Sequence, residues 1–159
     1  MTRPVYPLTP LQQGMLFHSL SAPRSGVDLL QVDVLAGPVD PGLLRSAWAH
    51  TGERHAVLQT FFTWTGPGDP AQQASADYAI VFHESDWRDV APGERDGRME
   101  AWLEEDRRAG IDLSAPPPWR VHLFRLADDA WRMVWTIHHA VIDGRSIPLV
   151  LDEVFTRYE

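Results

Sequence analysis

The stretch WRVHLFRLADDAWRMVWTIHHAVIDGRS, Trp119–Ser146, decides how the rest of the chain is read. As far as His139 it is two runs of apolar and aromatic residues on either side of Asp128-Asp129, the pattern of two long strands joined by a tight turn. Along the strand Trp131–His139 side chains alternate between faces. Trp131, Met133, Trp135, Ile137 and His139 point one way; Arg132, Val134, Thr136 and His138 point the other. Adjacent histidines on a strand cannot converge on one ion, which argues against a zinc site. They are suited to separate work. One faces a layer of Trp and Met, where a neutral imidazole can act as a base; the other pins the strand end through hydrogen bonds. Taken alone, each feature also has a plainer reading. A histidine at a strand end is usually a half-buried polar residue, and Asp143 can cap the last helix, with Gly144 supplying backbone freedom.

Outward from this stretch the elements fall into place. In LTPLQQGMLFHSL, Thr9 is a helix cap, Pro10 suits the first position and Gln12 completes a capping box. Leu11, Met15, Leu16 and Leu20 supply its apolar side, and Gly14 suggests a close backbone approach. DLLQVDVLAG reads as a strand, and DPGLLRSAWAHTGERH as a helix capped by Asp40. AVLQTFFTW is a strand, GPGDPAQQASAD an exposed loop and YAIVFHES a return strand. A charged helix at 94–109 buries Met99, Trp102 and Leu103 and stops at Gly110, after which LSAPPP is extended. RSIPLVLDEVFTRYE places Ile147, Val150, Leu151, Val154 and Tyr158 on one helical stripe. The order predicts an α+β fold, a two-layer α/β sandwich whose mixed, mostly antiparallel sheet packs with helices. The last helix has no stop signal, so a larger protein is expected to continue beyond it.

The chain has 159 residues, a net charge of -8 and no cysteine. That charge opposes nucleic-acid or anionic-membrane binding, and the lack of cysteine removes thiolate chemistry. No run reaches the roughly 18 apolar residues of a membrane span. The amino terminus lacks a signal peptide's apolar core, so a cytoplasmic protein is expected.

HHAVIDG (His138–Gly144) resembles the His-His-x-x-x-Asp-Gly motif of nonribosomal peptide synthetase condensation domains, members of the chloramphenicol acetyltransferase-like superfamily. YPLTPLQQGMLFHSL (Tyr6–Leu20) resembles their first core motif. RHAVLQTFF (Arg54–Phe62) resembles the second, Arg-His-x-x-Leu-Arg-Thr-x-Phe, with Gln59 in place of the second arginine. The three stand in the family's order and cover nearly the whole chain, but only the first part of the family. The resemblance therefore implies that residues 1–159 are the amino-terminal chloramphenicol acetyltransferase-like half of a condensation domain, lacking the carboxy-terminal half that closes its tunnel.

The resemblance implies amide formation between a donor acyl or peptidyl group and an aminoacyl acceptor. Both arrive on phosphopantetheine arms of carrier proteins, and the domain itself needs neither cofactor nor metal. His139 is the implied catalytic residue, while His138, Asp143 and Gly144 shape the site. The motif's aspartate pairs with an arginine in the family, for which Arg54 and Arg145 are candidates, and the Gly144 amide is a possible oxyanion donor. Arg145 departs from the aromatic residue common after the glycine, which leaves the acceptor open. The intact histidine pair argues against the cyclisation subgroup. The implied partners are the missing half and two carriers, with no nucleic acid or membrane. Arg107, Arg108 and Arg120 are possible members of a carrier-binding patch, beside the plainer reading as solvated arginines. Two alternatives stand: a free-standing trimeric acyltransferase, and a non-catalytic docking module.

Overall fold

Thr9 and Gln12 cap a helix in the way the sequence suggests. The Gln12 backbone N–H donates to Thr9 Oγ1 at 3.2 Å, and the Thr9 backbone N–H donates to Gln12 Oε1 at 3.0 Å. A computed structural model describes residues 4–65, 68–75 and 77–159. In chain order the elements are β1 (Val5–Pro7), α1 (Pro10–Ser21), β2 (Leu29–Ala36), α2 (Pro41–Arg54), β3 (Thr60–Thr63), β4 (Ala71–Ala74) and β5 (Phe82–Asp86). There follow α3 (Arg95–Ala109), β6 (Trp119–Arg125), β7 (Trp131–His138) and α4 (Ser146–Tyr158). Asp40 Oδ1 caps α2 by accepting from Leu43 N at 2.9 Å, and Gly110, at φ +69°, ends α3.

The expected hairpin is the centre of the fold. Leu126 N donates to Ala130 O at 2.8 Å to close its turn. β7 lies between β6 and β2, antiparallel to both, and β5 completes a four-stranded sheet parallel to β6. One face of β7 enters the main core, where Trp135 and Trp119 lie 5.0 and 5.5 Å from the Trp48 ring of α2, together with Val150 and Val154 of α4. Phe124 and Val134, on the other face, pack under Met99 of α3. This is the mixed, mostly antiparallel α+β architecture that the element order predicts.

Several local expectations change. The segment AVLQTFFTW opens as a 3-10 turn, Ala56–Gln59, and extends only from Thr60. Part of the supposed loop, Ala71–Ala74, is β4, which pairs with both β1 and β3 in a second sheet; residues 66, 67 and 76 of that loop lie outside the described ones. Its sequence, AQQA, has little intrinsic strand preference, so its two neighbours impose the pairing. The return strand runs parallel to β6 and makes no hairpin with the strand before it. LSAPPP is bent, with Asp112 Oδ1 accepting from Ser114 N and Oγ at 2.9 and 2.6 Å. Gly14 makes no close approach, since a Cβ there would meet nothing within 4 Å.

Helix α1 also buries a different stripe. Leu11 and Leu20 are exposed, while Gln12, Met15, Leu16 and Ser19, at i, i+3, i+4 and i+7, face inward.

The three arginines weighed as members of a carrier-binding patch divide two and one. Arg120 Nε donates to Asp106 Oδ1 at 2.7 Å, and Asp106 Oδ2 accepts from Gln31 Nε2 at 2.7 Å and Thr136 Oγ1 at 2.6 Å. Arg107 donates to Gln31 Oε1 at 2.7 Å. These two arginines therefore belong to a polar network between α3 and the sheet. Arg108 forms an exposed pair with Glu104.

Candidate active site

Three segments meet around His139: the turn after β7, the buried stripe of α1, and the junction of α2 with α4. The junction depends on Gln59, which is buried. Its Nε2 donates to the carbonyls of Gly52 and Glu53, each at 2.7 Å. These are among the carbonyls that the end of a helix leaves unpaired. Gln59, the sequence's departure from the family arginine, thus caps α2. His55 follows that end, and its Nε2 lies 2.6 Å from Glu153 Oε2 on α4. Glu153 Oε1 also lies 3.5 Å from Arg54 Nε and 3.1 Å from Arg157 Nε. His55 first, with Arg157 and Arg54, holds the Glu153 carboxyl below its usual range.

Both histidines of the pair are fixed in the turn. His138 is buried; its Nδ1 accepts from Ala140 N at 3.1 Å, so its proton sits on Nε2, 2.8 Å from Ser19 Oγ. His139 is half-buried. Its Nδ1 lies 2.7 Å from the carbonyl oxygen of Ile142. A carbonyl can only accept, so the neutral ring carries its proton on Nδ1 and leaves the Nε2 lone pair for another partner. His139 lines a groove of about 550 Å³ with Gln12, Met15, His55, Leu149 and Glu153.

The aspartate does not find its expected arginine. Asp143 is exposed, and its Oδ1 accepts from Ser146 N at 2.9 Å and Ser146 Oγ at 2.8 Å. Those bonds, then the backbone amide of Arg145, pull its carboxyl below the usual range. Arg54 is occupied by Glu153, and Arg145 reaches Asp143 through its main chain. Among the described residues, no arginine side chain lies within ion-pair distance of it. Asp143 thus ties down the start of α4. Gly144 has no positive φ, and a Cβ there would meet nothing within 4 Å. Neither strain nor crowding within this chain requires a glycine, so the space beside it is open.

Burial holds His138 down at about 4, with His139 adding to the effect and Asp28 opposing it. His122, stacked on Phe124, is also lowered to about 4, first by burial and then by His83 and Arg120, against Asp106. The ordinary value is 6.5. The folded state therefore binds fewer protons than the unfolded one between about pH 4 and 6.5. The contribution of these neutral rings is fully present above that window and is lost as pH falls through it. The thermal midpoint should drop steadily from pH 6.5 to 4. A flat midpoint across the window would show that both rings stay solvated.

Among the described residues, no group of three or more His, Asp or Glu could hold a metal ion. A family model, Condensation domain, matches residues 2–159. The chain belongs to the condensation-domain family. This condensation-domain chain is 40% identical over 154 residues to a linear gramicidin synthase of Brevibacillus parabrevis, covering 97% of the chain and 3% of that protein. It is 32% identical over 155 residues to bacitracin synthase 1 of Bacillus licheniformis, again covering 97% and 3%. In fold it matches the starter condensation domain of the rhizomide synthetase RzmA with a TM-score of 0.85 at 20% identity, over 98% of this chain and 37% of that one. The first condensation domain of the calcium-dependent antibiotic synthetase gives 0.83 at 21%, over 99% and 40%. The condensation-domain chain thus spans a few per cent of its synthetase relatives and under half of either solved structure. These likenesses do not favour a trimeric acetyltransferase or a scaffold module.

Proposed function

We propose that this chain is the amino-terminal part of a condensation domain that forms an amide bond between two carrier-bound substrates. The observation that carries the reading is the His139 ring, whose Nδ1–H is committed to the Ile142 carbonyl while the ring lines the groove. The amine nitrogen of the acceptor attacks the donor's thioester carbon, and Nε2 of His139 accepts or orients the proton that the amine loses. Such assistance is typically worth about 10²–10⁴-fold. As the tetrahedral intermediate collapses, the carbon–sulfur bond breaks and the donor's thiol leaves with a proton. In this reading the Gly144 amide, with open space beside its Cα, donates to the oxyanion. His138 and Asp143 hold the turn and touch neither substrate.

The donor and acceptor arrive on phosphopantetheine arms of carrier proteins in the cytoplasm; the domain itself binds no cofactor. No helix among the described residues is long and apolar enough to cross a membrane. The remainder of the domain supplies the groove's other wall. In the test, an acyl-loaded donor carrier and an aminoacyl-loaded acceptor carrier are mixed with the complete domain. Intact-mass spectrometry should then show the acyl group on the acceptor and a free thiol on the donor. This chain alone should give no amide above background, because its open groove neither orients the substrates nor excludes water. A complete domain that transfers nothing would overturn the reading.

A further inference from the structure

Gln12 and Ser19 stand seven positions apart on α1. Two helical turns bring them back to one face, about 10 Å apart along the axis. Both reach the same short piece of chain. Ser19 Oγ lies 2.8 Å from His138 Nε2, and Gln12 Nε2 donates to the Ala140 carbonyl at 3.0 Å. The helix therefore grips the residue before His139 and the residue after it.

The Gln12 amide is itself fixed. Its Oε1 accepts from Thr9 N at 3.0 Å and from Gln72 Nε2 at 3.1 Å, and its Nε2 donates to Gln72 Oε1 at 3.0 Å as well as to Ala140. Both donor and both acceptor positions are used, so rotating the amide breaks bonds on both sides. Gln72 belongs to β4, so the second sheet braces the contact from behind. The His138 ring is fixed equally well, with Ala140 N on one nitrogen and Ser19 on the other.

We propose that Gln12 and Ser19 are positioning residues for the proposed reaction, holding the backbone on both sides of His139 so that its ring keeps its bond to Ile142. The inference rests on reading His139 as the group that receives the amine's proton. A displacement of about 1 Å in such a group can cost on the order of 10²-fold in rate.

The test separates positioning from stability. Gln12→Glu keeps the capping box, since glutamate serves there as well as glutamine, but offers no N–H to the Ala140 carbonyl. Ser19→Ala removes the hydroxyl, and Ser19→Thr restores it. In the ¹⁵N-labelled 159-residue chain, the His139 ring nitrogens report the tautomer directly. The wild type should hold Nδ1–H; Gln12→Glu and Ser19→Ala should shift it to a mixture, and Ser19→Thr should return it. If Gln12→Glu does not fold, Gln72→Leu loosens the same amide from the sheet side and should give the same shift. In the complete domain, kcat should fall about 10–100-fold with the acceptor KM within about threefold. An unmoved His139 tautomer together with unchanged kcat in both variants would overturn the proposal. So would losses that follow thermal stability alone and that Ser19→Thr does not rescue. If His139→Ala leaves amide formation intact, the reading of the site fails instead, whatever the ring nitrogens report.

Discussion

Replacing His139 with asparagine in the complete domain should lower amide formation by about 10²–10⁴-fold. Asparagine is the informative choice, because its amide nitrogen, bonded to Cγ as Nδ1 is, can still donate to the Ile142 carbonyl that His139 Nδ1 now contacts. The turn then keeps its internal bond while the basic nitrogen is lost. His139 is half-buried at the groove wall, outside the tryptophan core, so thermal stability should move little. Single-turnover transfer between loaded carriers, with unfolding followed in parallel, makes the comparison. A rate within about threefold of wild type would remove His139 from the chemistry and leave it with a role in the turn.

The second large effect is expected in the fold beneath the site. Asp106→Ala should cost about 3–5 kcal/mol, because it leaves the Arg120 charge buried with only the carbonyls of Gly110 and Asp106 for partners and no counter-charge. The Asp106 and Arg120 side chains are only 6% and 19% exposed. Without the carboxylate, the Arg120 guanidinium, the Gln31 amide and the Thr136 hydroxyl lose their shared acceptor. Replacing both charged partners, as in Asp106→Leu with Arg120→Met, should recover much of the loss, since an apolar pair carries no desolvation penalty. Urea unfolding of the two variants measures both quantities. A cost under about 1 kcal/mol for Asp106→Ala would mean that water takes the carboxylate's place.

That network shows where the sequence is legible and where it is not. The helix caps, the central hairpin and the last helix are written in local chemistry, where a side chain bonds its own neighbourhood or a period repeats. Asp106 reads as one more charge on a charged helix. Yet Met99, Trp102, Leu103 and Asp106 fall at i, i+3, i+4 and i+7, and that spacing could have exposed it as an inward-facing charge in need of a cation. β4 carries no such signal, because its neighbours make it a strand. At the site, the motif leads directly to His138 and His139. Asp143 bonding Ser146 at the start of α4 is local and matches its plainer sequence reading as a cap. The Arg54–Glu153 pair depends instead on how α2 meets α4, a contact between distant segments that no local pattern encodes. Gln59 is visible in the sequence only as a departure; its role as a cap emerges once the end of α2 lies beside it.

The register of β7 has a consequence for how the chain is made. One flank of that strand is filled by β6, a hairpin neighbour, and the other by β2, where Leu29 stands opposite His138, 109 positions away. A ribosome adding about 5–20 residues per second leaves β2 without its partner for roughly 5–20 s. During that wait its backbone edge is an open template for other strands. The histidine strand is the last strand made and closes that edge, so the turn that carries His139 and the end of this exposure are completed in the same step of synthesis.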